Sequence, residues 1–236
     1  MQPIHVREWP KSKAEAYQYQ ESVAQQVKLL PISPEPRLIV AVETAYGAGG
    51  ETLYCCAAVM SFPDLEEIEC VFSHGPAGWS YEPGLLYFRE GPVIAQALSK
   101  VVATPDLLMV HGHGIAHPLR CGLASSLGVV FDMPAIGCCR KSLAGHHREV
   151  APTKGSAQPI MLNSDEVGMA YRSKDKVKPI FISPGHLCDL PGAVDLTKRC
   201  LRGFRQPEPL RLAHLLTHKY KRRSERKSQA TPSEVI

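Results

Sequence analysis

The chain has 236 residues, of which 44% are hydrophobic and 21% charged, and its formal net charge is +4. This is the balance of an ordinary globular protein, and the length fits one large domain or two small ones. No apolar run approaches ~18 residues and no secretion-signal pattern opens the chain, which excludes a transmembrane helix and points to the cytoplasm. In that compartment we expect reduced cysteines, with a zinc site or a disulfide as the alternative.

The first 36 residues are predicted to form a helix and an extended linker that pack on the main domain. Ser12 and Glu15 have capping-box spacing, and apolar residues then recur at helical spacing, which predicts an amphipathic helix over residues 13–30. Three prolines in the segment 31–36 favour extended backbone after it.

The main domain is predicted to span residues 37–222. Three apolar runs joined by short turns favour antiparallel hairpins. Two later strands each follow a helix, and such crossovers place them parallel to the first strand. The five strands are predicted at Leu38–Thr44, Thr52–Ser61, Glu66–Ser73, Leu107–Val110 and Ala135–Cys138.

Helices are predicted between and after these strands, which gives an α/β fold. Pro92 suits the first turn of a helix that runs to about residue 103. The other predicted elements are a helix at 118–128, strands at 160–162, 166–172 and 180–183, and helices at 190–202 and 208–222. A mixed sheet with flanking helices in this order is the arrangement of ribonuclease H-like domains.

The end of the chain is basic. From Lys219 to Lys227 the sequence has six basic residues and one acidic residue, Glu225. Such a run can contact phosphates, and it is also typical of a solvated tail. We predict a disordered basic tail over residues 223–236, with phosphate contact left open.

Three polar residues are predicted to meet at one edge of the sheet. Glu43 ends the first strand and His111 follows the first crossover strand, so these two should be neighbours where ligands of open α/β sheets usually sit. Glu90, near the start of the Pro92 helix, can point into the same cleft. Each residue alone is more often a solvated surface residue, but together they could bind one divalent cation.

Several segments resemble, in order, the signature segments of the endonuclease V family. Residues 81–92 (YEPGLLYFREGP) resemble its Y-x-P-G-L-L-x-F-R-E-G-P segment, and residues 112–118 (GHGIAHP) resemble the G-x-G-x-A-H-P part of another. The resemblance covers about residues 37 to 222. It implies a DNA repair endonuclease that recognises inosine or deoxyinosine in DNA or RNA, and a monomer is the plainest expectation for its oligomeric state. The implied reaction is hydrolysis of the phosphodiester bond 3′ to the lesion with a divalent metal, Mg²⁺ in the family. Further matches lie at residues 122–128, 134–137, 179–186 and 207–214.

The resemblance implies a role for each matched residue. Glu90 falls on a metal-site carboxylate, Arg140 on an active-site lysine, and His214 on a histidine near the metal. Tyr81 falls on a tyrosine that wedges beside the lesion, where an aromatic ring can stack on bases. The residues that fall on the walls of the pocket for the flipped-out base are Pro83, Gly84, Leu85, Gly112, His117 and Gly122.

Two positions depart from the family pattern, because Glu43 and His111 stand where the family has aspartates. Imidazole suits Mn²⁺ better than Mg²⁺, which prefers oxygen ligands, so we expect Mn²⁺ to be favoured. The first hypothesis is therefore an inosine-directed endonuclease. The alternatives are a binding protein that keeps the pocket but does not cut, and a metalloenzyme with another hydrolytic task.

Overall fold

The computed structural model describes residues 1–3 and 9–230, with side chains as far as residue 227. The strands are β1 (Leu38–Tyr46), β2 (Thr52–Ser61), β3 (Glu67–Pro76), β4 (Leu107–Val110), β5 (Ala135–Cys139), β6 (Ala157–Leu162), β7 (Asp165–Tyr171) and β8 (Ile180–His186). The helices are α1 (Lys13–Ala24), α2 (Leu86–Ser99), α3 (Leu123–Phe131), α4 (Leu190–Arg199) and α5 (Glu208–Ala230).

The strands form one mixed sheet in the order β3-β2-β1-β4-β5-β8-β7-β6. The β1–β2 and β2–β3 pairs are antiparallel, whereas β1–β4 and β4–β5 are parallel. Both predictions about strand direction are therefore confirmed. In the β1–β4 pair Val42 faces Val110, which brings Glu43 and His111 to the same edge of the sheet.

Both faces of the sheet are covered, which explains the nearly continuous apolar runs of its central strands. Successive residues of β1 point to opposite faces. Val40 and Val42 join a core with α2 and α3, and Ile39 and Ala41 join a second core with α4 and α5. The polar edge thus lies between two apolar layers that hold its backbone in place.

Several helix boundaries differ from the predicted ones; among them α4 ends at Arg199 instead of residue 202. α1 ends at Ala24 instead of residue 30, and beyond it the backbone N–H of Lys28 donates to His186 Nδ1 at 3.2 Å. α2 begins at Leu86, so Pro92 lies inside it, and burial of the helix in the core outweighs the hydrogen bond that proline removes. α3 begins at Leu123 instead of 118, and the residue before it, Gly122, donates its backbone N–H to Gly114 O.

The last helix is longer than predicted. The sequence predicts an end near residue 222 and a disordered tail from 223, whereas α5 continues to Ala230. Contacts with β1 and the turn after it accompany this extension, since Lys221 Nζ donates to Tyr46 O at 2.6 Å and Ala48 N donates to Glu225 Oε1 at 3.1 Å. The prediction for residues 231–236 lies outside the described residues.

All eight cysteines are free thiols, as expected, and seven of them are buried. Within residues 1–3 and 9–230, no helix combines the length and apolarity needed to cross a membrane.

Candidate active site and adjoining pocket

Glu43 is the centre of a buried hydrogen-bonded cluster at the edge of the sheet. Its side chain is only 3% exposed. His111 Nδ1 lies 2.9 Å from Glu43 Oε1, and His214 Nδ1 of α5 lies 3.1 Å from the same oxygen. Thr217 Oγ1 donates to the Glu43 backbone carbonyl at 3.2 Å, which fixes α5 beside β1. The predicted approach of Glu43 and His111 is therefore observed, and His214, which the resemblance placed near the metal, joins them.

The two imidazoles decide the charge state of this carboxyl. Burial acts to raise the pKa of Glu43, but the hydrogen bonds from His111 and His214 outweigh burial and hold that pKa below its ordinary value. The other oxygen of Glu43, Oε2, lies 2.8 Å from His111 Nδ1. It has no well-aligned hydrogen-bond partner, because the N–H of His111 is directed at Oε1. The cluster thus holds a buried carboxylate with one unsatisfied oxygen.

Glu90 is buried near this cluster but has a different partner. The Tyr46 hydroxyl donates to Glu90 Oε1 at 2.6 Å. Burial raises the pKa of Glu90, and the charge of Glu43 adds to that rise, while the hydrogen bonds from Tyr46 and Thr44 act against it. Glu90 is therefore close enough to the cluster for the charge of Glu43 to influence its protonation.

Sequence reasoning missed His218, which lies at the cluster, and it included Arg140, which does not contact it. The His218 ring packs on the His214 ring at a centroid distance of 4.4 Å, and its i+4 spacing on α5 was the available signal. Arg140 follows β5 at the same edge, but its side chain is exposed and makes no ion pair within the described part of the chain.

The donors at this edge suit some cations better than others. Two carboxylates and neighbouring imidazoles fit Mn²⁺, and the unsatisfied Glu43 Oε2 is an atom that a cation could satisfy. They suit Mg²⁺ less well, because Mg²⁺ prefers oxygen ligands in strict octahedral geometry and imidazole supplies nitrogen. Among residues 1–3 and 9–230, no group of three His, Cys, Asp or Glu side chains is arranged to hold a metal. A cation bound through the two atoms that now face each other would replace the hydrogen bond between His111 Nδ1 and Glu43 Oε1.

A pocket opens beside the cluster, between the loop before α2 and the segment that follows His111. Its cavity of about 90 Å³ is well above the ~10–15 Å³ that one water needs. The sequence-predicted residues on its wall are Tyr81, Pro83, Gly84, His117 and Gly122, joined by His113, Leu123 and Leu143 among others.

Hydrogen bonds hold the two sides of this pocket together. His117 Nε2 donates to Gly84 O at 2.9 Å, and its Nδ1 accepts the Leu119 backbone N–H at 3.1 Å. Burial lowers the pKa of His117, in keeping with a neutral ring that donates from one nitrogen and accepts at the other. Gln20 of α1 also donates to Gly84 O, at 2.7 Å, so the N-terminal helix braces the pocket. Sequence reasoning assigned Gln20 no such role.

Glycines at the pocket allow close backbone approach. Gly84 has φ +89°, where a side chain is strained. A Cβ on Gly122 would lie 2.3 Å from His113 O.

Two predicted wall residues lie elsewhere: Leu85 is buried in the core, and Gly112 packs against Leu123. Tyr81, in contrast, is 68% exposed at the mouth of the cavity.

Comparison with known proteins identifies relatives over nearly the whole chain. The endonuclease V family model matches residues 21–215. The endonuclease V of Nostoc punctiforme is 42% identical over 209 residues, which cover 88% of this chain and 95% of the relative.

Solved structures agree with this match. The crystal structure of endonuclease V from Streptomyces avermitilis has a TM-score of 0.86 at 33% identity and covers 92% of this chain and 96% of its own. That of Ciona intestinalis endonuclease V, in complex with a 24mer DNA containing an inosine followed by a ribo-adenosine, has a TM-score of 0.77 at 24% identity. It covers 89% of this chain and 98% of its own. The ribonuclease H-like α/β fold predicted above is thus confirmed.

Proposed function

This chain belongs to the endonuclease V family of nucleases, and we propose on that basis that it binds nucleic acid containing inosine or deoxyinosine and hydrolyses the phosphodiester bond 3′ to that nucleotide. The flipped-out hypoxanthine occupies the pocket between Gly84 and Gly122. A divalent cation is required, and Mn²⁺ supports the reaction better than Mg²⁺.

The observation that carries this proposal is the position of the pocket next to the Glu43 cluster. His111 contacts Glu43, and two residues later His113 lines the pocket, followed by His117. A nucleotide whose base entered the pocket would therefore place its backbone near the carboxylates.

The chain's own residues would prepare the site for the reaction. Glu43, Glu90 and His111 would hold the cation, which when bound supplies positive charge for the attacking and leaving oxygens. His214 orients Glu43 through its hydrogen bond to Oε1. Arg140, exposed at the same edge, is free to meet a phosphate.

A second candidate function is inosine binding without cleavage. The observation that favours it is the pairing of both His111 and His214 with one oxygen of Glu43. In each ring the Nδ1 atom is engaged by the carboxylate and is not available to a cation. The pocket does not depend on these contacts, so binding could persist without hydrolysis.

A nicking assay combined with a binding assay separates the two functions. A labelled duplex with a single inosine is incubated in Mg²⁺ or in Mn²⁺, and the dissociation constant is measured in EDTA. We expect selective binding in EDTA and nicking that is faster in Mn²⁺. Selective binding with no nicking in either cation would establish the second function, and equal binding of inosine and plain duplex would refute both.

Replacing Tyr81 by alanine is expected to weaken binding of inosine duplex by about 5- to 150-fold, because stacking on a base contributes roughly 1–3 kcal/mol. Plain duplex should be affected much less. Tyr17→Ala, which removes another exposed tyrosine on α1, is the matched control. An equal loss on both duplexes, measured by fluorescence anisotropy, would rule out a role beside the lesion.

A further inference from the structure

The outer face of α5 carries a stripe of five cations. Lys219, Arg222, Arg223, Arg226 and Lys227 are all exposed and follow i, i+3, i+4, i+7 and i+8 spacing, so they share one side of the helix and line one shallow groove. We call these five residues the basic stripe.

The acidic residue of this segment lies on another side of the helix. Glu225 accepts the Ala48 backbone N–H at 3.1 Å and lies 4.0 Å from Lys221 Nζ. Within the described residues, Lys219, Arg222, Arg223 and Arg226 form no ion pair. The charges of these four residues are therefore not neutralised by an ion pair within the described part of the chain.

The helix end does not explain these cations. Cations are favoured by the helix dipole only within the last turn. Because α5 ends at Ala230, that effect reaches Lys227 but not Lys219, Arg222 or Arg223. Repulsion along the stripe opposes its formation, since Lys219 and Arg223 are like charges at i, i+4 spacing. An anionic partner would relieve this repulsion.

The basic stripe is held firmly and starts close to the candidate active site. Thr217 contacts the Glu43 carbonyl, and Lys221 contacts that of Tyr46, so α5 runs in the direction of β1 and continues past the site. Tyr220 anchors this part of the helix by packing on Phe72 at 4.8 Å, and its hydroxyl is 2.7 Å from His74 Nδ1.

We propose that the basic stripe binds the sugar-phosphate backbone of the nucleic acid that flanks the flipped base. This proposal rests on the proposed function for the position of the base, but not on cleavage. Eight helical steps of 1.5 Å make the stripe about 12 Å long. With about 3.4 Å of duplex axis per phosphate of one strand, it can contact about three phosphates.

The test is the salt dependence of binding by a triple variant, Arg222→Gln with Arg223→Gln and Arg226→Gln. Anisotropy is measured over a range of KCl concentrations in EDTA, with inosine duplex, plain duplex and inosine-containing single-stranded RNA. We expect the slope of log Kd against log salt to fall by about 2 to 3 for the duplexes. Affinity for both duplexes at ~0.1 M salt should fall at least about tenfold, and by the same factor.

The matched control removes the same charge elsewhere on the surface, by Lys154→Gln with Lys174→Gln and Lys178→Gln; these residues are also exposed. It should keep the slope of the unmodified protein. An unchanged slope in the arginine variant, or the same slope in both triple variants, would overturn the proposal. So would binding of the stripe to phosphatidylserine vesicles with no effect on duplex affinity.

Failure of the proposed function gives a different result in the same experiment. The affinity ratio of the unmodified protein for inosine over plain duplex reports on the pocket, whereas the slope reports on the basic stripe. If the affinity ratio is one and the slope is reduced in the variant, the proposed inosine function is refuted and the role of the basic stripe is supported. If the ratio is above one and the slope is unchanged, inosine recognition is supported and the role of the basic stripe is refuted.

Discussion

Replacing Glu43 and His111 together by aspartate is expected to raise Mg²⁺-supported nicking of inosine duplex by about 100-fold, the scale on which one preorganised charge-stabilising group acts. The double change replaces a nitrogen donor by an oxygen donor and restores an anionic charge. It also removes the hydrogen bond between His111 Nδ1 and Glu43 Oε1, which are 2.9 Å apart. Initial nicking rates in Mg²⁺ and in Mn²⁺ measure the effect, and the Mn²⁺/Mg²⁺ rate ratio should fall.

Metal binding provides a readout that does not depend on cleavage. Calorimetric titration of the double variant should show tighter Mg²⁺ binding than the unmodified protein. His218→Gln is a control for changes near the cluster, because this residue contacts His214 and is not one of the two histidines that contact Glu43 directly. A double variant that nicks no faster in Mg²⁺ and binds it no more tightly would show that these two residues do not limit the reaction.

A methyl group at Gly122 is expected to destabilise the protein by about 3 kcal/mol, at the upper end of overpacking effects. In Gly122→Ala the new Cβ would lie 2.3 Å from His113 O and 2.8 Å from Gly114 O. Both neighbours are backbone atoms, so rotation of a side chain cannot relieve the clash. For a chain of this size the melting temperature should fall by about 10 °C. Because Gly122 lines the pocket, inosine selectivity should fall as well.

Gly75→Ala is the matched control for this substitution. Its added Cβ would meet Val93 Cγ2 at 3.5 Å, an ordinary van der Waals contact. Thermal unfolding followed by circular dichroism, together with the ratio of inosine to plain duplex affinity, should show little change in this variant. If Gly122→Ala behaves in the same way, the segment from His113 to Gly122 must be able to shift, and the pocket wall is less rigid than described.

The part of the site that was predictable from sequence is the part fixed by strand order. Glu43 lies near the end of β1 and His111 directly follows the neighbouring parallel strand β4, so topology alone brings them together. The partner of Glu90 was not predictable, because Tyr46 reaches it from the end of β1 through its ring. The role of Gln20 was also missed, since side-chain contacts between α1 and Gly84 leave no periodic pattern in the sequence.

Helix ends were predicted less well, and the reasons are tertiary. Pro92 is usually a first-turn residue, yet packing of Tyr87 and Phe88 against the core extends α2 ahead of it. The charged composition after residue 222 favours a disordered tail. In the structure this segment is helical, and its Glu225 accepts a hydrogen bond from Ala48 in the turn after β1. In both cases a local preference is outweighed by packing against a distant segment.

The burial of the cysteines makes thiol alkylation a measure of unfolding. Burial raises the pKa of most of these thiols, for example that of Cys121 to about 11 and that of Cys200 to about 12, so few thiolates form in the folded state. Cys70 alone is partly exposed, and its Sγ lies 3.3 Å from Glu67 Oε1. Iodoacetamide should therefore modify the folded protein at one position at most, and each further adduct found by mass spectrometry reports local unfolding around a buried cysteine.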